Sequence, residues 1–274
     1  MPLPTRWNWF FDGFRRYVRR YVRKHFHAVR LSNTSHPLPA DDAPLLIVLN
    51  HPSWWDPMIG VILSDLFPGY AHYAAIDAAM LKKYRAFNKL GFFGVDQTCL
   101  RGAAEFLRTG TEILSAYRRA VWVTAQGEFA DVRTRPLNLR SGVGHLAARL
   151  PRGWVVPIAV EYTFWTESKP EAVVRIGEAI SFSRDPTGSA SSVDALPVGS
   201  RLTGKNWTAR IEVALTASLD ALNAETATRD PAKFTELLGG TAGVGGVYDA
   251  FRRSVAFVRG ERFDPSHMPA EKPA

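Results

Sequence analysis

The chain is 274 residues long and 46% hydrophobic, enough for the core of one large α/β domain and incompatible with general disorder. Its 34 Lys and Arg against 26 Asp and Glu leave a formal charge of +8, which points to an anionic partner such as a nucleic acid, an anionic bilayer or a phosphorylated cofactor. The single cysteine, Cys99, excludes an internal disulfide and a zinc site built on thiolates, and it suits a reducing compartment.

No apolar run approaches the roughly 18 residues that span a bilayer, and residues 1–5 lead into aromatic and basic residues without a signal-peptide core. Neither a membrane span nor export by that route is expected. Trp7, Phe10, Phe11, Phe14, Tyr17, Val18, Tyr21, Val22, Phe26 and Val29 recur at helical spacing, which predicts one amphipathic helix over 7–30. Arg15, Arg16, Arg19, Arg20, Arg23 and Lys24 lie between them. A basic helix with Trp and Tyr on its apolar side has the composition of a segment lying in the headgroup region, so residues 6–30 are expected to bind an anionic membrane surface. The alternative packs the aromatic stripe on the domain and leaves the arginines in water. Nucleic acid is not expected as a partner, because no nucleic-acid-binding motif accompanies the arginines.

Residues 32–44, with three prolines and Asp41-Asp42, read as a linker into the apolar strand 45–49. Pro52 and Pro57 then force a turn before a helix over 57–66. Strands are predicted at 71–75, 92–95, 121–125, 154–162 and 173–176, and helices at 78–90, 101–117 and 141–150. This alternation predicts an α/β fold with a mostly parallel central sheet flanked by helices. Residues 183–205 read as a surface loop; Gly199 to Asn206 approaches a phosphate-binding loop but has Asn206 where magnesium needs Ser or Thr. Beyond it are expected a helix over 206–224, a flexible glycine cluster at 239–246, a helix near 247–258 and a disordered tail from Pro265. The organisation expected is an interfacial helix (1–31), an α/β core (32–182), a surface loop (183–205) and a C-terminal helical extension (206–274).

The most informative stretch is Asn50-His51-Pro52-Ser53-Trp54-Trp55-Asp56-Pro57. His51 and Asp56 would diverge by about 140° on a regular helix, but on a strand-end turn and the first turn of the next helix they can converge. A carboxylate holding one ring nitrogen leaves the other free to take a proton from a hydroxyl. Alone, such a pair also fits a histidine satisfied by backbone and an aspartate capping a helix.

His-x-x-x-x-Asp on this turn, followed by Gly91-Phe92-Phe93-Gly94-Val95-Asp96, Gln126-Gly127-Glu128 and Val156-Pro157-Ile158-Ala159, resembles the four blocks of the glycerolipid acyltransferases typified by lysophosphatidate acyltransferase, over roughly residues 45–180. The resemblance implies that His51 is the general base, that Asp56 orients it, and that a lipid hydroxyl attacks an acyl thioester of coenzyme A or acyl carrier protein. Neither a metal nor a permanently bound cofactor is implied. It further implies that Gly127 and Val156, Pro157 and Ile158 help supply oxyanion donors or line the acyl site. Trp54 and Trp55 are candidates for an acyl-tunnel wall. Such an enzyme would sit in the cytoplasm, peripheral on the inner face of a membrane. The competing reading is a lipid-binding protein that keeps the fold without turnover; a hydrolase is disfavoured because no Gly-x-Ser-x-Gly occurs.

The middle blocks depart from the family pattern. Arginines expected after Val-Asp and in Glu-Gly-Thr-Arg are Gln97 and Phe129, and Gln126 and Glu128 fill the flanking positions. The acceptor is therefore expected to be a neutral or glycosylated lipid held by Gln97, Gln126, Gly127 and Glu128. Arg101, Arg133, Arg135 and Arg140 are the cations that would hold a phosphate instead.

Overall fold

The computed structural model describes residues 3–182 and 203–240. Most of the expected surface loop, and the glycine cluster, last helix and tail beyond 240, lie outside the described residues.

Among the described residues nine strands form one sheet: β1 (Ala28–Ser32), β2 (Leu45–Leu49), β3 (Ala71–Asp77), β4 (Phe92–Val95), β5 (Arg119–Thr124), β6 (Trp154–Thr163), β7 (Glu171–Ile176), β8 (Ile180–Ser181) and β9 (Phe234–Gly239). Their order is β4-β3-β5-β2-β6-β7-β1-β9, with β8 paired to β6. The stretch from β4 to β6 is parallel, whereas β7 runs antiparallel to β6 and β9 antiparallel to β1. The helices are α1 (Asn8–His25), α2 (Asp56–Leu63), α3 (Ala78–Lys83), α4 (Leu100–Leu114), α5 (Gly142–Ala147) and α6 (Gly204–Ala227).

β2 lies mid-sheet with a layer on each face, so all five residues are apolar and buried, as a two-sided parallel strand requires. Its side chains alternate between the layers. Leu46 and Val48 join Phe106 of α4, Leu146 of α5 and Ile211 and Leu215 of α6. Leu45, Ile47 and Leu49 join Val18 and Val22 of α1 and Ile59 and Ile62 of α2.

Two expectations are corrected at the ends. The helix stops at His25, and Ala28–Ser32 becomes a strand between β7 and β9. The apolar series is therefore helical only to Val22; Phe26 is already extended and Val29 serves a sheet, so a boundary at residue 31 falls inside β1. At the other end α6 covers the sheet, burying Trp207, Ile211, Leu215, Leu219 and Leu222, and β9 closes the edge beside β1. The described part of 206–274 thus belongs to the core and is not an appendage.

The stripe of α1 expected to enter a bilayer is largely inside the protein. Phe11, Val18 and Val22 are buried and Phe14 partly so, while Trp9 and Tyr17 point outward beside Arg16 and Arg20. Arg15 and Arg19 both pair with Asp65, just beyond α2.

Candidate active site

β2 leads into α2 on one face of the sheet, while its neighbour β5 leads through a loop to α5 on the other. Adjacent parallel strands whose connections part in this way open a crevice at their carboxyl ends, where α/β proteins commonly bind ligands. The turn 50–55 and the loop after Thr124 flank that crevice.

Asn50 fixes the first of them. Its buried amide donates to the Val160 carbonyl and accepts from the Val160 amide, both at 2.8 Å, tying the end of β2 to β6. The His51 amide then donates to Gln126 Oε1 at 2.8 Å, and the Ala130 amide donates to the His51 carbonyl at 3.0 Å. Backbone geometry is thus set from three directions before the imidazole is considered.

His51 Nδ1 lies 2.6 Å from Asp56 Oδ2. An ionised carboxylate only accepts, so Nδ1 carries the proton and Nε2 keeps its lone pair. Asp56 also accepts from the Ser53 amide at 3.2 Å and, through Oδ1, from the Tyr162 hydroxyl at 2.7 Å. Its side chain is fully buried, and these three donors replace the water it has lost. The imidazole remains 19% exposed, with the Phe129 ring 4.5 Å away, centre to centre.

Tyr162 is the partner of the His51–Asp56 pair that the sequence analysis does not single out. It ends the series Val156, Ile158, Val160 that faces α1 and α2, and a Tyr closing an otherwise aliphatic series was the available signal. Burial first, and then the Asp56 charge, push its phenol well above the usual range, so it stays a donor at any ordinary pH. Tyr162→Phe removes one charge-assisted hydrogen bond from Asp56. Turnover is expected to fall about tenfold with KM unchanged, since the lost bond is worth roughly 1.5 kcal/mol and does not touch substrate. A variant that instead raises KM at constant kcat would place Tyr162 against substrate.

The remaining sequence candidates divide. Gln126 is buried, its Oε1 accepting from the His51 amide and its Nε2 donating to the Leu137 carbonyl, so both polar atoms support the turn. Val156 and Ile158 stand opposite Ile47 and Leu49 inside the sheet, and Pro157 has no amide hydrogen, so this block underlies the turn without presenting amides at it. Gly127 needs its φ of +73°, and its amide already donates to the Thr124 carbonyl at 3.1 Å. A Cβ there would lie 2.7 Å from Gln97 Oε1 and 3.1 Å from Arg140 Nε, so both side chains converge on this glycine. Trp55 is wedged against Tyr21, His25 and Phe26, locking α1 to the turn, and Trp54 stacks on it at 4.4 Å while staying 53% exposed.

The cations divide too. Arg101 pairs with Glu105 and projects into solvent. Arg133 forms a two-pronged pair with Asp131, which holds that carboxyl well below its ordinary range, and Arg135 pairs with Asp220. Arg140 alone of these has no carboxylate partner among the described residues. Glu128 is exposed in the same loop between β5 and α5.

No protein-family model matches the chain, and no curated protein matches it. Among solved structures it is similar to that of the 1-acyl-sn-glycerophosphate (LPA) acyltransferase PlsC from Thermotoga maritima, at 15% identity and a TM-score of 0.46, over 78% of this chain and 83% of that one.

Proposed function

We propose that the protein transfers a fatty acyl group from a thioester of coenzyme A or acyl carrier protein to a hydroxyl of a lipid acceptor. The observation that carries this reading is the imidazole of His51, held through Nδ1 by a buried carboxylate and leaving Nε2 free at the mouth of the crevice. In the proposed step Nε2 takes the hydroxyl proton as the oxygen attacks the thioester carbon. The C–S bond then breaks and the imidazolium returns the proton to the departing thiolate. Asp56 keeps the ring in the required tautomer and offsets its transient charge. The test is release of free thiol from a long-chain acyl-CoA, matched by acylated lipid. Tight lipid binding without thiol release under any acceptor would favour the non-catalytic reading.

The acceptor proposed is a neutral or glycosylated lipid. Phe129 covers the imidazole where the family places an arginine, Glu128 adds negative charge, and Arg133 and Arg135 are already neutralised by Asp131 and Asp220. Lysophosphatidate is expected to be the poorer acceptor in direct competition with a glycosylated lipid. A tenfold preference for lysophosphatidate, about 1.4 kcal/mol in transition-state binding, would reverse this reading and point to Arg140 as the phosphate ligand.

The outer side of α1 is proposed to meet an anionic membrane, with the protein peripheral on a cytoplasmic face. Among the described residues Arg16, Arg20, Arg23 and Lys24 have no carboxylate partner, and no helix is long and apolar enough to cross a membrane.

A further inference from the structure

We infer that the membrane-facing surface does not rest on α1 alone: a second segment, α3 with the 3₁₀ turn Arg85–Lys89, forms with the first turn of α1 a basic and aromatic face that lies on an anionic bilayer. This rests on the peripheral placement proposed above and adds residues far from α1 in sequence.

Composition is the first observation. Residues 78–90 contain Lys82, Lys83, Arg85 and Lys89 and no carboxylate; the first turn of α1 adds aromatic rings and no acid, and the six Lys and Arg of that helix follow at 15–24, with Arg15 and Arg19 paired to Asp65. Elsewhere on the surface cations are commonly matched, as in Arg101–Glu105, Arg118–Asp42, Arg133–Asp131 and Arg135–Asp220. None of the four cations of 78–90 forms a direct ion pair among the described residues, although Lys82 lies near enough to Asp96 to favour its ionised form. Clustered positive charge with few carboxylates nearby repels itself, so it is a cost in isolation that an anionic surface would relieve.

Exposed apolar groups are the second. Trp9 is 70% exposed, Met80 46%, Tyr84 42% and Trp7 39%, all on these two segments. The segments are physically joined. The Trp7 amide donates to the Lys89 carbonyl at 2.9 Å, Lys89 Nζ sits 4.1 Å over the Trp7 ring, and Trp7 stacks on Trp9 at 5.7 Å. Beneath them Phe11, Leu90 and Phe92 form a small cluster of their own, so the outward groups are presented from a packed base.

An acidic protein would match the charges but gives no role to outward indole and thioether groups. The headgroup zone of an anionic bilayer takes both: indole and phenol rings at the boundary and ammonium or guanidinium groups against phosphates. The face lies at the β4 edge of the sheet. From there α1 runs to Trp55, so its outer residues extend the same surface to exposed Trp54 at the candidate active site.

The test is vesicle co-sedimentation of the full chain, with phosphatidylcholine alone and with about a quarter phosphatidylglycerol. Each cation near an anionic surface is worth roughly fivefold in partitioning, so Lys83→Gln with Arg85→Gln is expected to weaken binding to the anionic vesicles about thirtyfold. Trp9→Ser should weaken it as well, and thermal melts should show all variants folded because the side chains are exposed. Arg16→Gln with Arg20→Gln reports on α1 separately. If only that variant loses binding, the contribution of 78–90 is refuted while the α1 reading stands. Equal binding of wild type to both vesicle types, or loss of binding to an acidic carrier protein with vesicle binding unchanged, would overturn the inference. None of these outcomes depends on whether acyl transfer is observed.

Discussion

His51→Ala is expected to lower acyl transfer by about 10² to 10⁴, or roughly 3 to 5 kcal/mol of transition-state stabilisation, while the melting temperature stays close to wild type. The rate effect follows from removing the nitrogen that takes the hydroxyl proton in the proposed step. The structural effect is small because the imidazole packs chiefly against Phe129 and because Asp56 keeps two of its three donors, the Ser53 amide and the Tyr162 hydroxyl. Turnover above about a tenth of wild type in the purified variant would remove His51 from the mechanism. A large drop in melting temperature would show instead that the turn itself had collapsed.

Stability is expected to fall as pH drops from about 6.5 toward 4, by about 3 kcal/mol, and His72 is the cause. Its Nδ1 accepts from the Trp122 indole at 3.1 Å inside the sheet, between Phe11 and Phe67, and burial first, then the Arg6 charge, hold its pKa at about 4. The native state keeps this ring neutral while the unfolded chain binds a proton below about 6.5, so acidification favours unfolding across that window and adds nothing further below about 4. His27 acts in the opposite sense. Its hydrogen bond to Glu171, 2.5 Å long, raises its pKa, so its contribution is complete below about 6.5 and is lost as pH rises through the raised value. Together they place maximal stability slightly below neutrality. Denaturant titrations at several pH values check this: His72→Gln, whose amide oxygen can still accept from Trp122, should flatten the acid limb. An unchanged acid limb would assign it to another group.

How far the sequence alone reached can be judged from single elements. Five consecutive apolar residues at 45–49 allowed few readings besides a doubly buried strand, and β2 is that strand. The α/β class followed from strand and helix alternation, because local periodicity is fixed by which face each side chain must bury. The His51–Asp56 turn was also legible, since two prolines within six residues permit no continuous helix there. Periodicity could not say where α1 stops: a series at helical spacing also supplies the alternating residues of a short strand, and only the pairing of β1 with β7 and β9 decides for the sheet at Ala28. The same ambiguity hid the destination of the α1 stripe. A helix amphipathic toward a bilayer and one amphipathic toward its own domain have the same sequence, and the packing of Val18 and Val22 on α2 and the sheet turns that stripe inward.

Within the site, sequence determined the His51–Asp56 pair because its members are five residues apart. Tertiary structure decided the rest because the partners come from far away. Tyr162 reaches Asp56 across 106 residues, Gln126 reaches the His51 amide across 75, and Asn50 reaches Val160 across 110. Of the basic residues after the third block, Arg133 is neutralised locally by Asp131, two residues away, whereas Asp220 reaches Arg135 only when α6 folds onto the sheet, and Arg140 is left beside Gly127. Local patterns report what a segment must bury; which buried groups then meet depends on strand order and helix placement, which a local pattern does not encode.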